Sequence, residues 1–285
     1  MHTITLANGS TLPAIGLGTW YLGDDPSLRS DEIASLVAGI EAGARVIDTA
    51  EMYGEGRSED LVGEAIAGLP RDQLHLVSKV LPTNAGRARL RESFYASLDR
   101  LRTDYLDTYL LHWRGDTPLA ETVEAMEDLV DEGVLRGWGV SNLDVGDMRD
   151  LLALPDGQNC QVNEVLYHVA SRGIEYELAP MLRQADVATM AYCPLAQGAT
   201  LREGAGLFEN PTLIQIAEAH EATVPQVMLA WVIRDGHTLA IPRSGKAEHT
   251  RDNVAALHLD LTEQDLAQID QAFPAPTGPT PLDSE

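Results

Sequence analysis

The stretch RVIDTAEMYGEGRSEDLVGEAIAG, residues 45–68, joins a short apolar run, a glycine-containing polar loop and an amphipathic segment. The apolar run at 45–48 has the length of a buried strand, and the apolar side chains of 58–68 recur at helical spacing. The stretch therefore predicts one complete strand–loop–helix unit.

Strand–loop–helix units of this kind follow one another along the whole chain. No linker, low-complexity tract or sequence repeat separates the strands. Such an order predicts one parallel sheet closed by crossover helices, for which a (β/α)8 TIM barrel is the simplest form. We expect residues 1–285 to form this single barrel domain. Strands are predicted at 15–19, 45–48, 74–79, 106–111, 137–141, 160–165, 187–192 and 238–241, and helices at 30–42, 58–68, 87–102, 119–132, 144–153, 175–185, 211–234 in two pieces, and 247–257.

Segments outside the eight units have their own signals. Residues 3–6 and 11–14 flank Asn8-Gly9, a pair typical of a two-residue β-hairpin turn, and this hairpin is expected to cap the N-terminal mouth of the barrel. Beyond the last unit, 262–272 predicts a final helix, and the Pro-rich 274–282 a short tail.

Composition narrows the class of protein. With 44% hydrophobic and 22% charged residues, the chain has an ordinary globular composition. Its apolar runs fall short of the ~20 residues that span a bilayer, and its N-terminus lacks the features of a secretion signal. Cys160 and Cys193 match no zinc spacing. We therefore expect a soluble, cytoplasmic protein with no structural metal, and a monomer is favoured although the sequence leaves the oligomeric state open.

The charge balance is strongly acidic, at −24. This charge argues against nucleic acid or an anionic membrane as a partner, since both require a positive surface. Only Lys79 and Lys246 are lysines among the 20 basic residues. Acidic excess with few lysines predicts a surface adapted to high salt, that is, a halophilic protein. A GC-rich genome, which encodes Arg in place of Lys, is the alternative.

Polar or aromatic side chains stand at the end of every predicted strand. In a barrel these ends meet at the C-terminal face, where active sites lie. Each residue alone has a plain structural explanation as a helix cap or a packing side chain, but eight at one rim indicate a site. In strand order they are Trp20, Asp48, Lys79, His112, Ser141 with Asn142, Glu164, Tyr192, and Arg243 with Ser244.

Three of these residues, with Tyr53, form a plausible acid centre. The Lys79 ammonium at a partly desolvated mouth needs a counter-charge, which Asp48 on the neighbouring strand can supply. A phenol near that ammonium is expected to have a lowered pKa, which makes Tyr53 a usable proton donor. His112 offers a hydrogen bond to the oxygen that receives the proton.

Several stretches resemble the aldo-keto reductase superfamily, in order and along nearly the whole chain. The resemblance implies a (β/α)8 barrel that binds NAD(P)H in an extended pose, which agrees with the lack of a G-x-G-x-x-G motif after a strand. The stretches are GLGTW (16–20), IDTAEMYGEGRSEDLVGEAI (47–66), SK (78–79), YLLHW (109–113), LVDEGVLRGWGVSN (129–142), VNEVLYH (162–168), AYCPLAQG (191–198) and IPRSGKAEHTRDN (241–253).

By this resemblance the catalytic tetrad is Asp48, Tyr53, Lys79 and His112. It implies reduction of small aldehydes and ketones by hydride transfer from C4 of the nicotinamide, with Tyr53 as the proton donor. The implied substrate contacts are Trp20, Tyr53, His112 and Trp113. The implied coenzyme contacts are Gly18, Thr19, Trp20, Asp48, Ser141, Asn142, Glu164, Tyr192, Pro194, Leu195, Gln197, Arg243, Ser244, His249 and Asn253.

Three departures from the family pattern affect these expectations. Glu164 stands where the family usually has Gln, so an ionised side chain can accept from the coenzyme's carboxamide but cannot donate to it. Arg243 replaces a common Lys and His249 a common Arg, which predicts NADPH as coenzyme with a modest preference over NADH. The short tail and the brief segment after His112 leave few loops over the pocket, which predicts small or varied carbonyl substrates.

Two alternatives keep the barrel and change the function. One is a nucleotide-sensing regulatory subunit, although nothing in the sequence indicates an assembly surface. The other is a glycosidase that uses Asp48, Glu51 and Glu164 as paired carboxylates, which leaves Lys79 and Tyr53 unexplained.

Overall fold

Eight parallel strands form the centre of the computed structural model, which describes residues 1–199 and 206–284. Each strand pairs with the next along the chain. The first and last close the ring through Gly16 N to Ala240 O, at 2.8 Å, and Gly18 N to Pro242 O, at 3.1 Å. The described strands are β1 (Thr3–Thr5), β2 (Thr11–Pro13), β3 (Leu17–Gly18), β4 (Val46–Asp48), β5 (His75–Val80), β6 (Thr108–Leu111), β7 (Trp138–Ser141), β8 (Cys160–Leu166), β9 (Ala188–Tyr192) and β10 (Thr238–Ala240).

Helices follow the barrel strands in the predicted alternation, which confirms the (β/α)8 fold. The helix predicted at 211–234 does form in two pieces, which Asn210 and Thr223 begin as N-caps. The described helices are α1 (Arg29–Glu41), α2 (Arg57–Ala65), α3 (Arg87–Leu101), α4 (Leu119–Asp131), α5 (Val145–Leu152), α6 (Leu178–Gln184), α7 (Ala196–Ala199), α8 (Pro211–Ala219), α9 (Val224–Val232), α10 (Ala247–Ala255) and α11 (Glu263–Ala272). Of these, α7 is a single turn with left-handed backbone, since Ala196, Gln197 and Gly198 all have positive φ.

Strands β1 and β2 form the expected antiparallel hairpin, but its loop is longer than predicted. Leu6 and Ser10 still pair across the hairpin, so residues 7–9 form a three-residue loop in place of a two-residue one. Only Gly9 has a positive φ, of +84°, whereas a two-residue type I′ turn would require one at Asn8 as well. Asn8 Nδ2 donates to Gln161 Oε1 at the start of β8, so the hairpin lies against the N-terminal end of the barrel.

Helix α6 begins three residues later than predicted. Residues Gly173–Glu175 form a separate 3-10 turn, and the Arg172 guanidinium binds the Glu175 carboxylate at 2.7 Å across it. Most other boundaries differ from the predicted ones by one or two residues, as frayed helix ends and short strands allow.

The strand bodies and the inner faces of the helices share one apolar core. Gly18 shows how tightly the barrel closes, since a Cβ there would come within 2.7 Å of the Ile241 carbonyl oxygen. Within the described residues, no helix is both long and apolar enough to cross a membrane.

The segment after α11 returns to the loop that follows β8. Ser171 Oγ donates to the Asp283 carboxylate, and a Cβ on Gly173 would clash with Thr280. Arg172 donates to the Phe273 carbonyl, just after α11, and binds Asp270 within α11 at 2.7 Å. The C-terminal segment is thus fixed at the end of the barrel opposite to the hairpin.

Candidate active site

A cavity of about 920 Å³ opens at the C-terminal ends of the barrel strands. It is lined by every site residue expected from the sequence except Lys79, which is fully buried beneath its floor. The expected residues that line it are Gly18, Thr19, Trp20, Asp48, Tyr53, His112, Trp113, Ser141, Asn142, Glu164, Tyr192, Pro194, Leu195, Gln197, Arg243, Ser244, His249 and Asn253.

The floor is built around an ion pair between adjacent strands. Asp48 ends β4 and Lys79 lies near the end of β5, so their side chains meet inside the barrel. The Lys79 Nζ lies 2.6 and 2.7 Å from the two Asp48 carboxylate oxygens and donates to the Thr49 carbonyl at 3.0 Å. This pairing supplies the counter-charge that a lysine buried in a barrel requires.

Tyr53 reaches the ion pair from the loop after β4. Three successive positive φ values, at Gly54, Glu55 and Gly56, turn the chain sharply from Tyr53 into α2. Lys79 Nζ donates to the Tyr53 hydroxyl at 3.1 Å, and the Tyr53 ring meets the His112 ring edge-on, with 5.7 Å between centroids. The structure therefore brings together the four residues of the expected tetrad.

The expected lowering of the Tyr53 pKa is wrong as a net effect. Burial raises the pKa of the Tyr53 phenol above its usual value, and this outweighs the opposing influence of the Lys79 ammonium. The negative charges of Asp48 and Glu164 raise that pKa further. Tyr53 therefore keeps its proton at neutral pH, which suits a group that donates one.

His112 is neutral at the same pH. Burial, together with the nearby Lys79 charge, lowers the pKa of its imidazole to about 3. A neutral imidazole carries one N–H donor and one acceptor nitrogen, so His112 can orient a polar ligand without adding charge.

Asn142 connects three strand ends. Its backbone has a positive φ of 58°, and its side-chain Nδ2 donates to the His112 carbonyl at 3.3 Å. The Tyr192 hydroxyl donates to the Asn142 amide oxygen at 2.9 Å. The Asn142 amide therefore holds His112 and Tyr192 in fixed relative positions.

Glu164 adds a second carboxyl group to the floor. It is 2% exposed, and its Oε2 lies 3.4 Å from the Lys79 Nζ. Glu51, which the glycosidase alternative requires, points elsewhere, because its carboxylate accepts from Leu81 N at 2.7 Å and Asn84 Nδ2 at 3.0 Å. The carboxylate arrangement of that alternative is therefore wrong.

The opposite end of the cavity is basic and lies at the start of α10. Arg243 and His249, both exposed, line it together with Lys246, which sequence reasoning did not assign to the site. The sequence could have indicated Lys246, because it is one of only two lysines and lies within 241–253, a stretch that resembles the family. A helix N-terminus with three basic side chains favours binding of an anionic group.

Aromatic side chains form the wall beside Tyr53. The Trp20 and Tyr21 rings stack at 4.6 Å between centroids, and the His112 and Trp113 rings lie 4.9 Å apart. Tyr21 was not expected here; its backbone has a positive φ of 66°, and the residue is 51% exposed. Other lining residues that sequence reasoning missed are Met52, Cys193, Gly198, Phe208, Thr223, Pro225, Ile241, Pro242, Gly245 and Asp252.

The barrel and its buried acid–lysine–tyrosine cluster define an oxidoreductase class. Residues 14–273 match the model of the aldo/keto reductase family, and the chain belongs to that family. It is 50% identical over 280 residues to the Escherichia coli protein named methylglyoxal reductase YeaE, with 98% of each chain covered.

Two solved structures of aldo-keto reductases from Klebsiella pneumoniae are very similar. One, in complex with NADP and acetate, is 52% identical with a TM-score of 0.97, over 100% of this chain and 99% of that one. The other, in complex with NADPH, is 53% identical with a TM-score of 0.96, over the same shares. These similarities support the enzyme and not the regulatory-subunit alternative.

Proposed function

We propose that this enzyme reduces small aldehydes and ketones with NADPH, and that Tyr53 donates the proton to the substrate oxygen. The observation that carries the proposal is the 3.1 Å contact between the Tyr53 hydroxyl and the Lys79 ammonium at the floor of the cavity. A protonated phenol, a neutral imidazole and a buried ammonium together suit the protonation of a developing alkoxide.

The cavity residues fit an extended dinucleotide. The basic end formed by Arg243, Lys246 and His249 suits the 2′-phosphate, since a fixed guanidinium can bind it bidentately. The floor offers polar groups for the nicotinamide carboxamide from Ser141, Asn142 and Glu164, and Tyr192 offers a ring for stacking. The remaining coenzyme contacts proposed are Gly18, Thr19, Trp20, Asp48, Pro194, Leu195, Gln197, Ser244 and Asn253.

NADPH, when bound, supplies a hydride. Side chains of the protein orient the substrate, donate the proton and stabilise the resulting phenolate. His112 orients the carbonyl oxygen toward Tyr53, Tyr53 donates its phenolic proton to that oxygen, and Lys79 stabilises the phenolate that remains. Asp48 holds Lys79 in position through its two-point contact.

The proposed substrate is a small, uncharged carbonyl compound. The wall formed by Trp20, Tyr21, Met52 and Trp113 is apolar or aromatic and carries no charge. The E. coli relative's name makes methylglyoxal the first candidate. Methylglyoxal is small and uncharged, which suits this uncharged wall.

Loss of NADPH absorbance with methylglyoxal tests this function. The wild-type enzyme should consume NADPH in proportion to methylglyoxal, whereas a simple ketose or glycoside should give less turnover or none. If no aldehyde, ketone or dicarbonyl caused NADPH loss while NADPH still bound, the enzyme assignment would fail.

The cellular location, oligomeric state and salt adaptation of the enzyme are also part of this proposal. We propose that it is a cytoplasmic monomer of one barrel domain. The charge of −24 and the presence of only two lysines support a surface adapted to high salt.

A further inference from the structure

Two carboxyl groups share one cation at the floor of the cavity. Asp48 and Glu164 are each 2% exposed, and Lys79 between them is fully buried. Glu164 Oε2 is enclosed and has no hydrogen-bond partner among the described residues, although Lys79 Nζ lies 3.4 Å away. Lys79 therefore donates hydrogen bonds to the Asp48 carboxylate but not to Glu164 Oε2.

Lys79 has no N–H group left for Glu164. An ammonium has three donors. They serve the Asp48 carboxylate, the Thr49 carbonyl at 3.0 Å and the Tyr53 hydroxyl at 3.1 Å. An ionised Glu164 would thus be a second buried negative charge, and its Oε2 would have no hydrogen-bond donor. Such an arrangement is energetically costly.

Among residues 1–199 and 206–284, the elements packed around Glu164 provide no second cation. On β7 and just after it, Ser141 and Asn142 are uncharged, and β9 places Met190 beside Glu164 and Tyr192 further along. Tyr53 keeps its proton, and burial with the Lys79 charge lowers the pKa of His112 to about 3, so His112 is neutral. The charged groups around Glu164 are Asp48 and Lys79.

We propose that Glu164 is held as a neutral carboxylic acid, and that it releases its proton to solvent when a cationic nicotinamide ring occupies the cavity. The second half rests on the proposed function, because it requires the oxidised coenzyme to bind at this floor. The reduced ring is uncharged and leaves the proton in place. The oxidised ring adds one positive charge, which balances the second carboxylate.

The titration behaviour of Glu164 agrees with this geometry. Burial raises the pKa of its carboxyl group well above the usual value, and the negative charge of Asp48 raises it further, while Lys79 opposes both. Consequently the enzyme should hold oxidised coenzyme more tightly as the pH rises, and release it more readily at lower pH.

Infrared difference spectroscopy tests the proton on Glu164 without coenzyme. The wild-type minus Glu164→Gln spectrum at pH 7 should show the C=O stretching band of a protonated carboxyl group, and that band should fade in the wild type at alkaline pH. Glu51→Gln is the matched control, because the Glu51 carboxylate accepts two N–H donors and should contribute only carboxylate bands. Carboxylate bands alone in the Glu164 difference spectrum would overturn the proposal.

Coenzyme affinities test the proton release. The ratio of the dissociation constants of NADPH and NADP⁺, measured by fluorescence quenching from pH 6 to 9, should rise with pH by up to about tenfold per unit in the wild type. Groups that interact equally with both forms cancel in the ratio. Glu164→Gln should give a ratio that changes little with pH, and equal slopes in the two proteins would refute the coupling. If neither coenzyme form bound either protein, the proposed function would fail, while the infrared result would still decide the protonation of Glu164.

Discussion

The Lys79 ammonium contacts both carboxylate oxygens of Asp48, at 2.6 and 2.7 Å, and the pair is almost completely removed from solvent. Glu164 Oε2 lies 3.4 Å from the same ammonium, so an ionised Glu164 could replace Asp48 as its counter-charge. The effects on stability of replacing these three side chains should therefore depend on one another.

Asp48→Asn should consequently cost less stability than removal of a lone salt-bridge partner, because Glu164 can ionise and pair with Lys79. The double variant Asp48→Asn/Glu164→Gln leaves Lys79 buried without a counter-charge, a situation that typically costs ~3–5 kcal/mol. Urea unfolding at pH 7 of the wild type, both single variants and the double variant should show a loss larger than the sum of the single losses. Additive effects would contradict the shared-cation arrangement.

Tyr53→Phe should lower kcat by at least the ~10²-fold typical of a lost general acid, because it removes only the hydroxyl that donates the proton. NADPH binding, measured by fluorescence quenching, should remain near the wild-type value. Tyr176→Phe is a suitable control, since Tyr176 is exposed and does not line the cavity. Near-normal turnover by the Tyr53 variant would assign the proton to another group.

Lys79→Met should nearly abolish reduction, because the phenolate left after proton transfer loses its stabilising ammonium. The effect should exceed that of Asp48→Asn, which retains Lys79. The pH dependence of kcat provides the check, since its basic limb should move in Lys79→Met. A basic limb that responded to neither variant would argue against the proposed coupling.

Arg243→Ala should erase most of the preference for NADPH, because it removes the guanidinium proposed to bind the 2′-phosphate. A charge-assisted contact of ~1.5–3 kcal/mol corresponds to roughly 10- to 150-fold in Kd, with little change for NADH. Arg251→Ala controls for loss of surface charge, since Arg251 is an exposed arginine of α10 that is not among the cavity-lining residues. His249→Arg should strengthen the preference. Equal weakening of NADH and NADPH by Arg243→Ala would remove Arg243 from the phosphate site.

His75 should make the fold sensitive to acid. Burial lowers the pKa of its imidazole to about 4, whereas the unfolded chain titrates near the ordinary value of about 6.5. Between these values the unfolded state binds the proton and the folded state does not, so stability falls as the pH falls, by roughly 3 kcal/mol in total. His75→Gln should flatten the unfolding profile between pH 6.5 and 4, and the exposed His258→Gln should leave it unchanged.

Salt should stabilise the protein if its acidic surface is an adaptation. Screening at about 1 M salt reduces the range of charge repulsion to ~3 Å, which relieves the self-repulsion of the surface. The melting temperature should rise between roughly 0.1 and 2 M KCl. A flat or falling melting temperature would instead attribute the composition to the genome.

The barrel could be predicted from the sequence because each buried strand and each amphipathic helix leaves a local periodic signal. Asp48, Lys79 and His112 could be predicted because the strand ends of one parallel sheet meet at one face. Tyr53 could be predicted because it follows Asp48 in the same loop, inside a stretch that resembles the family. Phe208 and Pro225 line the cavity but could not be predicted, since neither directly follows a barrel strand. Phe208 lies in a 3-10 turn and Pro225 in the first turn of α9, and tertiary packing decides where these elements lie. The net direction of the Tyr53 pKa also depended on burial, which the sequence does not report.

The hairpin lies against the start of β8, whereas the C-terminal segment binds Ser171 through Asp283 and Arg172 through the Phe273 carbonyl, past the end of that strand. Residue 1 and residue 284 therefore project from opposite poles of the molecule. For protein engineering, an affinity tag or a fused partner joined at the N-terminal side points away from the cavity, while one joined at the C-terminal side emerges on the cavity's own face. A circular permutant that joins the two would need a linker long enough to run the full height of the barrel.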